Sequence, residues 1–130
     1  MFTGIIQNLG EIVNFSDGEL EISTPLDLNE CKIGSSIACN GVCLTVTDIK
    51  HIDENFLFKV NLGEETQYRT NFSPNLFNKI IKINIEKSLK IGEEISGHFV
   101  YGHIDRTTKI NKINELKNSW EFYFENFQDQ

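Results

Sequence analysis

Apolar and polar positions alternate with period two in short runs along this chain, at residues 11–15, 19–23, 36–39, 42–49, 56–62, 80–85, 106–110 and 120–124. Such alternation marks strands with one buried face, because successive side chains on a strand point to opposite sides of the sheet. Turn signals separate the runs: Asp17-Gly18, residues 29–34, Asn40-Gly41, residues 53–55, residues 73–75 and Gly92. Many short strands at roughly ten-residue spacing predict an all-β barrel or sandwich. Helix signal is thin. Pro74-Asn75-Leu76-Phe77 allows one turn and residues 84–90 a short turn or a strand-to-loop transition, but neither sustains a 3.6-residue period.

The segment SIACNGVCLTVT, from Ser36 to Thr47, carries the most information. Asn40-Gly41 between two alternating runs is the signature of a two-residue type I′ turn, in which both central residues need positive φ. That turn sets Cys39 opposite Val42, Ala38 opposite Cys43, Ile37 opposite Leu44 and Ser36 opposite Thr45, and cross-strand partners share a face. One face is then Ile37, Cys39, Val42, Leu44 and Val46. The other is Ser36, Ala38, Cys43, Thr45 and Thr47, small side chains mostly bearing a hydroxyl or thiol. Such a face is either the polar outside of a half-exposed strand pair or a surface on which a flat polar ligand can lie.

With 130 residues the chain is long enough for one well-packed domain. Its formal charge of -7, with 12 scattered Lys and Arg, argues against a nucleic-acid or anionic-membrane surface. The start MFTGIIQNLGEIV has no basic n-region, and no stretch approaches the length of a membrane span, so a cytoplasmic protein is expected. Cysteines at 31, 39 and 43 are then expected as free thiols. The hairpin register opposes a zinc site among Cys31, Cys39, Cys43 and His51, because Cys39 and Cys43 project from opposite faces, and no metal is expected. His98 and His103 each follow a glycine and would point to opposite faces of a strand. Glu64-Glu65-Thr66 reads as a solvated loop.

A weak internal echo is present. Gly4, Ile6 and Ile12 align with Gly102, Ile104 and Ile110 at a constant offset of 98 residues, which suggests one full repeat unit and the opening of a second. In the closing run WEFYF, Trp120, Phe122 and Phe124 share one apolar face that calls for a partner.

Four segments resemble motifs of the riboflavin synthase family, enzymes built from tandem lumazine-binding barrels. They are the opening MFTGII, the hairpin NGVCLTVT, NLGEETQYRTN at 61–71 and GHFVYGH at 97–103, in the family's order and spacing. The resemblance implies a six-stranded Greek-key barrel over residues 1–98 and the incomplete start of a second over 99–130, assembled as a trimer with sites between barrels of neighbouring subunits. It implies dismutation of two 6,7-dimethyl-8-ribityllumazine molecules, by transfer of a four-carbon unit, to riboflavin and 5-amino-6-(D-ribitylamino)uracil. That chemistry requires no cofactor. The lumazine 7-methyl group is acidic, C7 of the partner is electrophilic, and stacking the two in register can supply about 7 to 11 kcal/mol.

Carried over residue by residue, the binding positions are Ser36, Cys43, Leu44, Thr45, then Asn61, Leu62, Gly63, Glu64, Glu65 and Thr66, then Gly102, His103 and Ile104. Gly4, Ile5 and Ile6 match a segment that touches the other lumazine across a subunit boundary. His103 is the local candidate for proton handling. Gly63, where a larger residue can occur, and the charged Asp105-Arg106 depart from the family pattern. The alternative to an enzyme is a non-catalytic module that holds lumazine or flavin.

Overall fold

The alternating runs close on themselves. The computed structural model describes residues 1–72, 77 and 82–125. Its elements are β1 (Asn8–Ser16), β2 (Glu19–Thr24), β3 (Ser36–Cys39), β4 (Val42–Ile52), β5 (Asn55–Asn61), α1 (Glu64–Arg69), β6 (Lys82–Lys87), β7 (Ile110–Glu115) and β8 (Trp120–Phe124). Strands β1 to β6 form a closed antiparallel barrel in the order β1-β2-β5-β4-β3-β6. Strands β3, β4 and β5 are joined by hairpins and β6 returns beside β3, which is Greek-key connectivity. Closure pairs every edge, so strands with one polar face need no second sheet to cover them.

The interior is filled by the apolar half of each alternation. Leu20 and Ile22, Ile37 and Cys39, Val42, Leu44 and Val46, Phe56, Phe58 and Val60, and Ile83 and Ile85 are all buried. Leu28, Leu62 and Phe72 join the same cluster from connecting segments. Thr24 is the polar residue that the β2 alternation turns inward, and its hydroxyl donates to the Leu9 carbonyl at 2.8 Å, which removes the penalty of burying it. Gly10 also faces in: a Cβ there would lie 2.7 Å from Ile22 Cγ2 and 2.9 Å from Ile85 Cγ1. A bulge between Ile12 and Asn14 then turns Phe15 back toward the core, where its ring meets Phe77.

The hairpin has the register expected of its turn. Ser36 pairs with Thr45, Ile37 with Leu44, Ala38 with Cys43 and Cys39 with Val42. Asn40 and Gly41 take φ of 47° and 82°.

Two expectations are corrected. Residues 64–66 are not a loop but the start of α1, a short helix with no buried residue. Residues 106–110 do not form a strand, which begins only at Ile110. At the 98-residue offset they align with residues 8–12, whose first members pair with β6. Among the described residues, 106–109 carry no strand ladder, although the Lys109 carbonyl accepts the Glu125 N–H at 3.0 Å and the Thr108 hydroxyl donates to the Glu125 carbonyl at 3.5 Å. The turn signal at 73–75, the possible turn at 74–77 and the start of the run at 80–85 fall outside the described residues, apart from Phe77.

Among the described residues the β7–β8 hairpin packs against no strand of the barrel. Trp120, Phe122 and Phe124 are exposed on it. Its ladder shifts register between Ile110 and Lys112, 98 residues beyond the shift between Ile12 and Asn14. The same offset relates Phe2 to Val100, which exchange both backbone hydrogen bonds at 2.7 and 3.0 Å. It also relates Gly4 to Gly102, with φ of 83° and 77°.

Gly10→Ala is expected to overpack the barrel and lower stability by about 1 to 3 kcal/mol in urea unfolding, with the m-value unchanged. A second expectation concerns pH. Lys59 Nζ donates to Glu19 Oε1 at 2.9 Å across the β2–β5 pair, and this bond holds the Glu19 carboxyl below its ordinary range. A carboxyl depressed by folding stabilises fully above its unfolded pKa, and loses that effect as pH falls through the folded value. The Tm of Glu19→Gln should therefore lie below that of the native chain near neutral pH and converge with it in acid. A constant difference across pH would assign the effect to packing.

Candidate ligand-binding site

On the outer face of the barrel, Glu86 of β6, Ala38 of β3 and Cys43 of β4 form one cross-strand row. Ala38 offers almost no side chain and Cys43 is half-buried, so backbone can approach the row closely. Residues 98–105 use that space. The Cys43 N–H donates to the Gly102 carbonyl at 2.8 Å. A Cβ on Gly102 would lie 2.9 Å from both Cβ and N of Cys43, and its φ is 77°, so glycine is required twice over. After it, Ile104 packs on the core and His103 stays exposed.

The opposite wall is α1. Leu62 before it and Phe72 after it are buried, and between these anchors the Gln67 amide donates to the Leu62 carbonyl at 2.9 Å. The Thr70 hydroxyl closes the last turn on the Thr66 carbonyl at 2.6 Å. Arg69 bridges the walls: its Nε donates to Glu65 Oε1 at 2.9 Å and its Nη1 to the Asp105 carbonyl at 3.0 Å. The result is a cleft of about 390 Å³, within the usual range for small-molecule sites. Val42 and Cys43 form its floor, Glu65, Thr66, Arg69 and Thr70 one side, and residues 102–105 the other.

Of the residues singled out from sequence, Cys43, Glu65, Thr66, Gly102, His103 and Ile104 line this cleft together. Leu44 and Leu62 point into the core, so only their backbones face outward. Ser36 and Thr45 lie further along the outer face, beyond the cleft lining. The Thr45 hydroxyl has no partner among the described residues, whereas that of Thr47 donates to Glu19 at 3.2 Å. Asn61 ends β5, Gly63 precedes α1, and Glu64 is exposed at its first position. Gly4, Ile5 and Ile6 lie elsewhere, beside Glu86, where Ile5 helps line a groove of about 190 Å³. His98 and His103 belong to an irregular segment with one bridge at Val100, not to a strand.

Val42, Arg69, Thr70 and Asp105 line the cleft without having been singled out as site residues. The pair Glu65 and Arg69, four apart and of opposite charge, was the available signal for a helical turn there. The cysteines divide as the register requires. Cys39 is fully buried, and burial drives its thiol pKa far up, so it is inert; Cys43 faces the cleft. The arrangement offers a flat floor of backbone and small side chains, with hydroxyl, carboxylate, guanidinium and imidazole groups around the rim. Such a site suits a small polar molecule.

Comparison with known proteins gives the same direction. The family model described as lumazine binding domain matches residues 3–88. Riboflavin synthase of Buchnera aphidicola subsp. Baizongia pistaciae is 38% identical over 129 residues, covering 95% of this chain and 58% of that protein. The riboflavin synthase of Brucella abortus is 40% identical over 115 residues, covering 85% and 56%. The chain thus spans little more than half the length of these relatives. The solved structure of LumP complexed with 6,7-dimethyl-8-(1'-D-ribityl) lumazine superposes with a TM-score of 0.68 at 20% identity, over 99% of this chain and 71% of that one. Since the matched region 3–88 takes in all six barrel strands and the Cys43 floor of the cleft, this chain belongs to the lumazine-binding domain family.

Proposed function

We propose that the cleft between α1 and residues 102–105 binds 6,7-dimethyl-8-ribityllumazine, and that the chain acts as the first barrel of a riboflavin synthase. The observation that carries this reading is the Cys43–Gly102 backbone contact, which brings two distant motifs, NGVCLTVT and GHFVYGH, onto one cleft. The ring would rest on Cys43 and Gly102, with the ribityl hydroxyls toward Glu65, Thr66 and Asp105. Thr45 and Ser36, on the same outer face, would meet the far edge of the ligand, and the segment Asn61, Leu62, Gly63 and Glu64 would contribute mainly backbone. Gly4, Ile5 and Ile6 are assigned to the second lumazine, across a subunit boundary in a trimer. His103 would hold a proton or a water at the cleft rim.

A division into residues 1–98 and 99–130 is part of the same reading. It is supported by the offset of 98 residues that relates the two ladder shifts, Phe2 to Val100 and Gly4 to Gly102. The site would work in the cytoplasm, and no helix among the described residues is long and apolar enough to cross a membrane. Two lumazines held with opposite roles would let one give and the other receive the four-carbon unit, to yield riboflavin and 5-amino-6-(D-ribitylamino)uracil. A second reading, a module that binds lumazine or flavin without turnover, rests on the cleft at Cys43 alone, since dismutation requires two bound substrates.

Titration of the chain with riboflavin should quench ligand fluorescence with saturation. Gly102→Ala, which forces a side chain into Cys43 at a positive φ, should weaken binding tenfold or more, equivalent to about 1.4 kcal/mol. Unaltered affinity in a folded variant would remove the cleft from the binding site. A further expectation separates the two readings. The chain by itself should form riboflavin from 6,7-dimethyl-8-ribityllumazine slowly or not at all, and adding a separately produced second barrel from a relative should restore turnover. Full activity without it would reject the need for a second site; tight binding with no activity under either condition would favour the non-catalytic module.

A further inference from the structure

We infer that Glu86 is a positioning residue for the cleft, although it does not line it. Glu86 lies on the outer face of β6 and is only 4% exposed. No Lys or Arg nitrogen among the described residues lies within ion-pair distance of its carboxylate. A buried carboxylate without a cation must be satisfied by hydrogen bonds. Among the described residues, every one it accepts comes from the chain start. Thr3 N–H and Thr3 Oγ1 donate to Oε1 at 2.7 and 2.9 Å, and Gly4 N–H donates to Oε2 at 3.2 Å.

The segment held in this way holds the next one. The Thr3 carbonyl accepts the His98 N–H at 3.1 Å, and Phe2 exchanges two hydrogen bonds with Val100. The approach leaves no room for a side chain at Gly97, where a Cβ would lie 2.3 Å from the Thr3 carbonyl oxygen. Two residues after Val100, the Gly102 carbonyl accepts from Cys43, and the cleft wall begins. The path therefore runs from Glu86 through residues 2–4 and 98–102 to Cys43. Glu86 and Cys43 are themselves cross-strand neighbours through Ala38, so the path closes into a ring. Opening it at Glu86 leaves the Thr3 and Gly4 donors without an acceptor and frees the wall to shift against its floor.

The test uses the full chain. Amide hydrogen exchange without ligand examines the ring itself, and riboflavin titration examines its consequence for the cleft, which rests on the function proposed above. In Glu86→Ala the amides of His98, Val100 and Cys43 should exchange at least tenfold faster than in the native chain. Those of Ile22 and Phe58 should be unchanged, and riboflavin affinity should fall tenfold or more. Glu86→Gln keeps one acceptor for Thr3 but turns an NH₂ or the same single oxygen toward Gly4, so it should fall between, and it decides the matter if Glu86→Ala does not fold. Equal acceleration at the core amides, or unaltered exchange at Val100 and Cys43, would overturn the positioning role. If the native chain binds no riboflavin while the exchange pattern appears, the functional reading fails and the ring stands.

Discussion

In the β3–β4 hairpin both turn residues adopt positive φ, Asn40 at 47° and Gly41 at 82°, and this backbone choice determines which side chains face the core. A slip of one residue would exchange Ile37, Cys39, Val42, Leu44 and Val46 for Ser36, Ala38, Cys43, Thr45 and Thr47. The barrel would lose much of one wall, and the outer face would lose the small residues that let other backbone approach. Asn40 also ties the turn to β6, since its side chain accepts the Asn84 N–H at 2.7 Å and its own N–H donates to the Asn84 carbonyl at 2.8 Å. The same turn thus fixes register within the hairpin and between the hairpin and the next strand. Each later feature, from the Glu86–Ala38–Cys43 row to the Gly102 contact, presupposes that alignment.

The barrel strands were legible because each has one wet and one dry face, which writes period two into the sequence. Helix α1 was not, for the complementary reason. It buries no residue, so it leaves no 3.6-residue trace, and its position is set from outside by Leu62 and Phe72. Arg69 and Thr70 were overlooked with it. Residues 106–109 show the opposite failure, an alternating pattern without a strand. Alternation reports which faces a strand would present, whereas a continuous ladder of backbone hydrogen bonds with a neighbour is a separate requirement.

Cys43, Glu65, Thr66, Gly102, His103 and Ile104 were picked from motifs far apart in sequence, and the fold brings them to one cleft. Their roles differed from those the residue types suggest. Gly102 matters for what it lacks, since any side chain would strike Cys43. Leu44 and Leu62 serve the core, leaving backbone as their contribution to the outer face. A linear reading identifies which segments gather, but the division of labour between side chain and backbone depends on which way each strand faces.

The cleft floor belongs to the barrel, whereas one of its walls belongs to a segment some 60 positions later in the chain, between Cys43 and Gly102. Such a wall cannot be held by local structure, because residues 98–105 form no strand and Val100 makes only a single bridge. It is held from three sides: by Cys43 at Gly102, by Arg69 at Asp105, and by the chain start at His98 and Val100. Arg69 and its Glu65 partner are exposed, so that tie is screened by solvent and weak. The Cys43 and Phe2 ties are backbone bonds, and Phe2 is fully buried. Ordering the wall therefore falls to the backbone ties from Cys43 and from the chain start, with Ile104 packed on the core. This makes the first four residues, remote in sequence from every cleft-lining position, part of what gives the cleft its shape.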